Sequence, residues 1–395
     1  MNDTVSSVIV AGDFCARNMW DKIDRDYSRA ALSGIKHILS DADLRIINLE
    51  NAVIEEGRAI EKSGPPLKAL PENCAFLEEG AFECAILANN HVGDYGEEGV
   101  FATLGELKKR GIAKVGAGAD IEESYKPAYF DLKSGKLAVV AVCENEFGIA
   151  EEHIAGTAGF EMNRILHTIR EARDNADYVL VIMHGGNEHN PLPSPGVTER
   201  YRSFVEFGAH AVIGMHPHCM QGYETYNNAP IIYSTGNFFF YASHPKSPDD
   251  PWYYGYLVKL FFSKTAGVTF ELLPYKFDMP CTLITPFEGP EKEKVLNYLA
   301  DISKPIGDPS LLRRYFMGWC MVGGVPYSKA MAYKEEYMEA GPYLTGHPML
   351  SVRNLMTCEA HNELLTVYFK ILADGRLETA RAMKDELLKL SKMPV

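Results

Sequence analysis

The chain has 395 residues, and its 53 acidic and 39 basic side chains give a formal net charge of -14. This acidity argues against a broad binding surface for nucleic acid or for anionic membranes. No apolar run approaches the roughly 20 residues of a membrane span, and the N-terminus lacks the order of a signal peptide, so we expect a cytoplasmic protein without membrane insertion.

The first part of the chain alternates apolar strands with helices. Strands are predicted over residues 8–13, 44–49, 83–88 and 112–115, and helices over 20–39, 71–79 and 98–110. Residues 55–71 carry charges and a Gly-Pro-Pro sequence with little periodicity, which predicts a long loop of a length that is often functional. Alternation at this spacing is typical of a parallel sheet with helices on its faces.

Hairpins join this pattern from residue 127 onwards. Further strands are predicted over 128–132, 137–143, 178–183, 211–215, 231–237, 256–262 and 268–273, with helices over 163–175 and 198–207. This mixture indicates two packed sheets. Beyond residue 280 the pattern is helical, with helices predicted over 292–302, 328–338, 354–372 and 378–390. We therefore divide the chain into an α/β domain, residues 1–285, and a helical extension, residues 286–395.

Potential metal ligands follow the apolar strands at the point where each strand ends. They are Asp13, Glu50, Asn90, His91, His184, His216 and His218. Ligands of open α/β sheets gather outside the carboxyl ends of strands, so we expect these side chains to lie close together. Structural alternatives exist: Asp13 could cap a helix, Glu50 could be a loop charge, and strand-end histidines are often hydrogen-bonded structural residues.

The chemistry of this set favours transition metals. Imidazole nitrogens together with carboxylate and amide oxygens suit Mn, Fe or Zn better than Ca or Mg. One carboxylate between two half-sites could bridge two ions about 3.5–4 Å apart, the arrangement that hydrolyses phosphoesters. The residues therefore predict one or two divalent transition metals.

Other polar side chains near the strand ends are supporting candidates for the site. Cys15 could be a thiolate ligand, although a buried structural thiol is the commoner fate of a lone cysteine. Asn187 and Glu188 follow His184 closely enough to reach a substrate or a bound water, and Asn237 lies at a strand tip. All three could bind a metal or support its ligands, or they could stabilise turns.

Three cations are candidates for binding an anionic substrate. Lys62, Lys68 and Arg17 could anchor a phosphate or a carboxylate, and their structural alternative is solvated surface charge. The chain has no G-x-S-x-G sequence and no P-loop, so serine-hydrolase and nucleotide-kinase chemistry lack their usual local motifs.

The order Asp, acidic residue, Asn-His, His, His-x-His at successive strand ends resembles the calcineurin-like metallophosphoesterase superfamily. Seven further segments are informative: GD at 12–13, NLE at 48–50, ANNHVGDYG at 88–96, GAG at 116–118, HGGNE at 184–188, GMHPH at 214–218 and YSTGNF at 233–238. With these segments the chain more closely resembles the bacterial CapA family, which is associated with capsule and poly-γ-glutamate synthesis. The similarity spans about residues 7–275 and leaves the helical tail outside it.

The resemblance implies a metallophosphatase-like four-layer α/β/β/α sandwich followed by the helical extension. It further implies a metal-dependent hydrolase, acting on a small anionic or polymeric substrate and linked to capsule or poly-γ-glutamate metabolism. The bond cleaved by a metal-activated water would be a phosphoester or a γ-glutamyl amide. Family resemblance is stronger support for the fold than for the substrate.

The resemblance also implies roles for individual residues. Asp13 and His218 would hold the first metal, and Glu50 would bridge to the second. The ligands of that second metal would be Asn90, His184 and His216.

The catalytic group implied by the resemblance is His91, which would protonate the leaving oxygen or stabilise charge on the transferring group. Asp94 would either orient His91 or cap the helix that begins near Glu97. These two roles for Asp94 remain open at this point.

Two departures from the superfamily pattern support an alternative function. The first motif is usually Asp-x-His, whereas here Cys15 stands at the histidine position, and Glu50 replaces the usual aspartate. Loss of a ligand at the first metal site could leave a site with one metal ion, a site with altered chemistry, or a protein without catalytic activity. The alternative is a non-catalytic subunit that uses its C-terminal helices to bind a protein partner in capsular polymer assembly.

Overall fold

The computed structural model describes residues 4–242, 247–331 and 348–395. Its strands are β1 (Val5–Cys15), β2 (Leu44–Leu49), β3 (Ala52–Val53), β4 (Lys68–Ala69), β5 (Cys84–Ile86), β6 (Ala113–Val115), β7 (Ala117–Gly118), β8 (Ala128–Leu132), β9 (Gly135–Cys143), β10 (Gly156–Thr157), β11 (Tyr178–His184), β12 (Ala211–Met215), β13 (Tyr223–Tyr226), β14 (Ala229–Ile232), β15 (Asn237–Phe240), β16 (Tyr254–Ser263), β17 (Gly267–Phe277) and β18 (Ile284–Pro286). The α-helices are α1 (Arg25–Leu32), α2 (Lys36–Leu39), α3 (Ala75–Glu79), α4 (Gly96–Lys109), α5 (Ile121–Ser124), α6 (Met162–Asn175), α7 (Pro195–Glu206), α8 (Gly289–Ser303), α9 (Pro309–Ala330), α10 (Pro348–Thr357), α11 (Glu359–Ala373) and α12 (Leu377–Leu390).

The first sheet has eight strands in the order β18-β17-β16-β1-β2-β5-β6, and β15 also pairs with β1. Strands β1, β2, β5 and β6 run parallel, whereas β16 runs antiparallel to β1. Val8, Ile9, Val10 and Ala11 of β1 are completely buried. A continuous apolar run of this kind is what a central strand covered on both faces requires.

The second sheet has the order β13-β14-β12-β11-β9-β8, and its side chains alternate between two cores. In β11, Leu180 and Ile182 belong to the core shared with the first sheet. Val179, Val181 and Met183 belong to a separate core shared with α6 and α7. The two-residue period of the strand therefore places the second sheet between the first sheet and a helical layer.

Helices form the outer layer on each side. Phe76 of α3 and Leu107 of α4 join the core of the first sheet. Ile169 of α6 and Phe204 of α7 cover the second sheet. The predicted four-layer α/β/β/α architecture is confirmed, and the predicted hairpins β8-β9 and β16-β17 are present.

The C-terminal helices follow β18 and pack onto the same protein core. Leu299 of α8, Phe316 of α9, Leu364 of α11 and Leu387 of α12 belong to the core cluster that includes the first sheet. The helical C-terminal segment is therefore as predicted, and the division into domains at residue 285 stays a prediction.

The strand predicted over 231–237 is wrong as a single element. The chain leaves the second sheet at Ile232 and enters the first sheet as β15 at Asn237, where it pairs with β1 opposite Asp13. Gly236 allows this change of sheet because its φ is 73°, a conformation that side chains rarely adopt. The crossover brings an asparagine from the second half of the chain beside the first strand.

Several helix boundaries also differ from the prediction. Helix α1 begins only after Asp24, whose side chain accepts a hydrogen bond from the backbone N–H of Tyr27, so the segment predicted over 20–39 becomes two short helices. The helix predicted over 354–372 is interrupted at Cys358. The helix predicted over 328–338 starts inside α9, and its part beyond residue 331 lies outside the described residues.

No helix in the described part of the chain is long and apolar enough to cross a membrane.

A substitution at Gly12 tests how closely β1 approaches the crossover segment at Gly236. A Cβ there would lie 2.0 Å from the carbonyl oxygen of Gly236 and 2.8 Å from Oγ1 of Thr235. Gly12→Ala is expected to lower the free energy of unfolding by at least about 2 kcal/mol, measured by urea denaturation. The matched control is Gly105→Ala in α4, where a Cβ meets nothing within 4 Å. That change should stabilise by about 0.5–1 kcal/mol, and equal effects of the two variants would contradict the steric account.

Candidate metal centre

The candidate ligands lie where strands of both sheets end at their carboxyl sides. Asp13 is in the last part of β1, Glu50 directly follows β2, His184 ends β11 and His216 directly follows β12. All four residues are at least 97% buried. The structure therefore brings together side chains that lie up to 203 positions apart in sequence.

Asp13 is held in place by two hydrogen bonds. Its Oδ1 accepts from Nδ2 of Asn48 at 2.7 Å, and its Oδ2 accepts from the backbone N–H of His216 at 3.2 Å. Burial raises the pKa of Asp13 to about 6, although both hydrogen bonds favour the ionised form. The Asp13 carboxylate is thus oriented towards the turn after β12 that contains His216, and it does not cap a helix.

Glu50 is fully buried, and neither of its carboxylate oxygens receives a hydrogen bond from the described residues. Its Oε1 lies 3.8 Å from Nε2 of His184 and 3.5 Å from Nε2 of His218. Burial raises the pKa of Glu50 well above its usual value, and the nearby Asp13 carboxylate adds to this effect. A surface loop charge would not show this environment, so Glu50 faces the interior of the site.

The histidine turn after β12 has an unusual backbone. His216 and His218 have φ values of 96° and 52°, in a region that non-glycine residues seldom adopt. Nδ1 of His218 donates to Oδ1 of Asn237 at 2.8 Å, and the amide nitrogen of Asn237 donates to the carbonyl of Trp252. This arrangement leaves Nε2 of His218 with its lone pair directed towards Glu50. Strained residues of this type cluster at functional sites.

His184 connects the two groups of ligands. Its Nε2 lies 3.2 Å from Oδ1 of Asn90 and 3.1 Å from Nδ1 of His216. Burial, together with the imidazoles of His216 and His218, keeps the pKa of His184 well below its ordinary value. Burial likewise lowers the pKa of His218 to about 3. Both rings are therefore neutral at pH 7 and have lone pairs available for a metal.

Two sets of three side chains have ligand atoms within 4.8 Å of one another, and Glu50 belongs to both. One set is Asp13, Glu50 and His184, and the other is Glu50, His216 and His218. Buried carboxylate oxygens without donors beside neutral imidazoles fit a divalent transition metal. His218 also lies near Asp13, with 3.6 Å between its Nδ1 and Oδ2 of Asp13, and the predicted division of the ligands between two metals stays a prediction.

His91 lies beside the metal-ligand cluster and is held by Asp94. Nδ1 of His91 is 2.7 Å from Oδ2 of Asp94, and that carboxylate also accepts from Nζ of Lys62 and the backbone N–H of Leu67. Burial lowers the pKa of His91, as does the Lys62 ammonium, against the opposing effect of Asp94. Burial would raise the pKa of Asp94, but His91 and Lys62 together lower it. Asp94 therefore orients His91, and helix α4 has no side-chain cap.

The three candidate cations differ in position. Lys62 is buried and donates to the carbonyl of Asn90 at 3.0 Å, so it lies within the site. Lys68 donates to the carbonyl of Glu55. Arg17 is partly exposed, and its backbone N–H donates to Sγ of Cys15. Substrate binding by these cations stays a prediction, for which the structure places Lys62 best.

The other four supporting candidates differ in their contacts and burial. Burial raises the pKa of the Cys15 thiol well above its usual value, and Cys15 is in neither set of close ligand atoms among the described residues. Asn187 donates to the carbonyl of Ala360, whereas Glu188 is exposed. Asn237 fixes the ring of His218, as described above. Of these four residues, Asn237 has the clearest contact with a ligand.

Sequence reasoning missed several residues that support the ligands. Asn48 contacts both Asp13 and, at 3.3 Å, Nδ1 of His184. Asn89 donates to Oδ1 of Asn48, and its own Oδ1 accepts from the backbone N–H of His91. Glu146 accepts from Nδ2 of Asn90. Asn89 is adjacent to the predicted ligand Asn90, and Asn48 lies two positions before Glu50. Their positions in strand-end segments are a usable signal, whereas Glu146 has no local signature.

The family described as bacterial capsule synthesis protein PGA_cap matches residues 7–242, which is more than half of the chain. The chain belongs to this family. The resemblance to CapA proteins is thereby confirmed, and all six predicted metal ligands lie inside the matched segment of this PGA_cap protein. Helices α8 to α12 lie outside it.

Two curated relatives and one solved structure illustrate the similarity of this PGA_cap family member. The capsule biosynthesis protein CapA of Bacillus anthracis is 26% identical over 257 residues, 63% of this chain and 62% of that protein. The PGA biosynthesis protein CapA of Bacillus subtilis (strain 168) is 27% identical over 279 residues, 69% and 72% of the two chains. A phosphatase from Mycoplasma pneumoniae is 14% identical with a TM-score of 0.43, covering 71% of this chain and 96% of that one. The family assignment rests on the sequence match.

Metal binding by this PGA_cap protein should increase its stability more at pH 8 than at pH 5. Protons compete with a metal below the Asp13 pKa of about 6, because the carboxylate must ionise before it can bind a cation. At a free metal concentration of 100 times Kd, the gain is about 2.7 kcal/mol. Thermal unfolding with Mn²⁺, Fe²⁺ or Zn²⁺, and with chelator, measures this effect.

Glu50→Gln provides the control for this stabilisation. The amide removes the buried ionisable group, so the metal-free variant should be at least as stable as wild type at pH 8 and should gain little from metal. Glu291→Gln, at an exposed position of α8, should respond to metal like wild type. A metal response of Glu50→Gln equal to that of wild type would contradict the assignment of Glu50 as a ligand.

Proposed function

We propose that this PGA_cap family member is a metal-dependent hydrolase that cleaves a phosphoester, or a γ-glutamyl amide, in capsule or poly-γ-glutamate metabolism. The environment of Glu50 is the main support for this proposal. Its buried oxygens receive no hydrogen bond from the described residues, and Oε1 lies near His184 and His218. A buried carboxylate without hydrogen bonds is unfavourable in a purely structural role. A divalent cation supplies the missing positive charge, and this explains why such a residue is kept.

The residues that would hold one or two divalent ions are Asp13, Glu50, Asn90, His184, His216 and His218. When bound, an Mn, Fe or Zn ion supplies a Lewis acid that makes water nucleophilic at neutral pH. The chain contributes neutral imidazoles and the carboxylates of Asp13, whose pKa burial raises to about 6, and Glu50, whose pKa burial raises well above its usual value. This burial strengthens every electrostatic interaction within the site.

His91 would supply the proton for the leaving group. Its Nδ1 carries the hydrogen that bonds to Asp94, so Nε2 is the atom free to exchange a proton with a substrate. The lowered pKa keeps the ring neutral without substrate, and an anionic substrate would raise that pKa by adding negative charge beside it. Lys62, next to Asp94 and His91, adds positive charge that would attract the same anionic substrate.

Hydrolysis assays show whether the protein cleaves a phosphoester or a γ-glutamyl amide. Wild-type protein loaded with Mn²⁺, Fe²⁺ or Zn²⁺ should cleave bis(4-nitrophenyl) phosphate or γ-glutamyl 4-nitroanilide, and the product is read by absorbance. With γ-glutamyl 4-nitroanilide, whose leaving nitrogen must be protonated, His91→Ala should lower kcat by roughly 10²- to 10⁴-fold, the usual contribution of a general acid. The loss should be smaller with bis(4-nitrophenyl) phosphate, because 4-nitrophenolate leaves as a stable anion. The metal content of His91→Ala should stay at the wild-type level, because His91 belongs to neither set of close ligand atoms in the described chain.

The alternative of a non-catalytic subunit makes the opposite prediction. It is favoured by Cys15, which stands at a usual ligand position as a buried neutral thiol. Metal-loaded wild-type protein that hydrolyses neither substrate, nor poly-γ-glutamate, would contradict the hydrolase and support this alternative. Activity that is unaffected by His91→Ala would contradict the role of His91 alone.

The dependence of kcat/KM on pH should show the effect of the Lys62 positive charge on the pKa of His91. Lys62→Met removes a cation that lowers the pKa of His91, so that pKa should rise. Because His91 must be protonated to act as the acid, we expect the high-pH limb of kcat/KM to move to higher pH, measured with the better of the two substrates. Lys108→Met, at an exposed position in α4, should leave the profile unchanged. A limb that moves to lower pH in Lys62→Met would contradict this electrostatic coupling.

A further inference from the structure

The C-terminal helices contact the two loops that follow β9 and β11, although they lie outside the family match. Glu359, the first residue of α11, accepts from the backbone N–H and the side-chain amide of Asn145 at 2.9 and 2.6 Å. The carbonyl of Ala360 accepts from Nδ2 of Asn187, at 3.3 Å. These contacts attach α11 to the loop that follows the predicted ligand His184 and to the loop that follows the neighbouring strand β9.

A second set of contacts joins α11 to the start of α7. Glu363 of α11 accepts from the hydroxyl of Ser194 and from the backbone N–H of Gly196, at the start of α7. Arg353 of α10 lies 5.7 Å from the ring centre of Phe147, and Lys62 lies 5.6 Å from the same ring. The loop after β9 is therefore packed between the C-terminal helices and the group that holds His91.

Glu146 in this loop joins the helices to a predicted metal ligand. Its Oε1 accepts from Nδ2 of Asn90 at 3.0 Å, and its Oε2 accepts from Nδ2 of Asn354 in α10 at 3.3 Å. Asn90 and Asn354 are more than nine-tenths buried. The two asparagines are thus linked through one carboxylate across 264 positions of sequence.

The chemistry of a carboxylate fixes the direction of the Asn90 amide. An ionised carboxylate only accepts hydrogen bonds, so the nitrogen of Asn90 must face Glu146 and its oxygen must face away. That oxygen lies 3.2 Å from Nε2 of His184, inside the ligand cluster. Without Glu146, the amide could turn and present its nitrogen, which cannot bind a metal.

We propose that Asn354 and Glu146 are positioning residues for the metal centre: α10 holds Glu146 through Asn354, and Glu146 holds the Asn90 oxygen towards the metal. The inference rests on the proposed function and deepens it, because it makes the C-terminal helices part of the same site. Supporting partners of metal ligands orient the ligand and raise its affinity for the metal. The tail would then act on the centre without touching substrate.

Asn354→Asp tests this chain of contacts in the full-length protein. The new carboxylate would face the carboxylate of Glu146, and like charges at hydrogen-bond distance repel. We expect Co²⁺ affinity, measured by calorimetry, to fall about 10-fold. The visible absorption spectrum of the Co²⁺ protein should change as well, because it reports the ligand set. Asn354→Ala removes the donor without adding charge and should weaken binding in the same direction.

A double variant distinguishes positioning from general packing. In Asn354→Asp combined with Glu146→Gln, the new amide nitrogen donates to the new carboxylate, and the new amide oxygen still accepts from Nδ2 of Asn90. Both Co²⁺ affinity and spectrum should therefore recover towards wild type. The matched control is Asn362→Asp, at an exposed position of α11 where Nδ2 donates to the carbonyl of Met356, and it should bind Co²⁺ like wild type.

The outcomes separate this inference from the proposed function. Wild-type Co²⁺ affinity and spectrum in Asn354→Asp and Asn354→Ala would overturn the positioning role and leave the hydrolase proposal standing. Weakened binding that the double variant does not restore would also overturn it, since packing damage explains that result. A wild-type protein that binds no metal would overturn both. Thermal unfolding of each variant checks that its fold is intact.

Discussion

The burial of the Glu50 carboxylate is the constraint on which the rest of the site depends. Its two oxygens are buried, the described residues donate no hydrogen bond to them, and the neighbouring carboxylate of Asp13 opposes ionisation. Such an arrangement is destabilising unless positive charge is supplied. The neutral imidazoles of His184 and His218 on one side make a metal ion the natural source of that charge.

The fold keeps this unfavourable group in place by using both sheets. The first sheet delivers Asp13 and Glu50, and the second delivers His184 and the turn that contains His216. The crossover after β14 then adds Asn237, which fixes the ring of His218 from the first sheet. Because the candidate ligands lie at or just beyond the ends of strands in a packed core, the fold sets their geometry.

The amino-acid sequence predicts the fold and brings the candidate ligands together for a clear physical reason. Buried parallel strands read as continuous apolar runs, and the polar residue at the end of each run, such as Asp13 or His184, marks the carboxyl edge. The change of sheet at Gly236 was not predictable, because 231–237 reads as one uninterrupted strand. Glu146 and Asn354 were not predictable either, since their contact joins a loop to a helix 208 positions away.

Anomalous diffraction from crystals grown with Mn²⁺ or Zn²⁺ shows directly whether Glu50 binds a metal ion. We expect at least one anomalous peak about 2.0–2.2 Å from an oxygen of Glu50, with nitrogens of His184, His216 or His218 at coordination distance from a peak. The Glu50 carboxylate would then be satisfied by the metal. Metal-replete crystals that show no peak beside Glu50, with its oxygens bonded only to protein or water, would contradict the account.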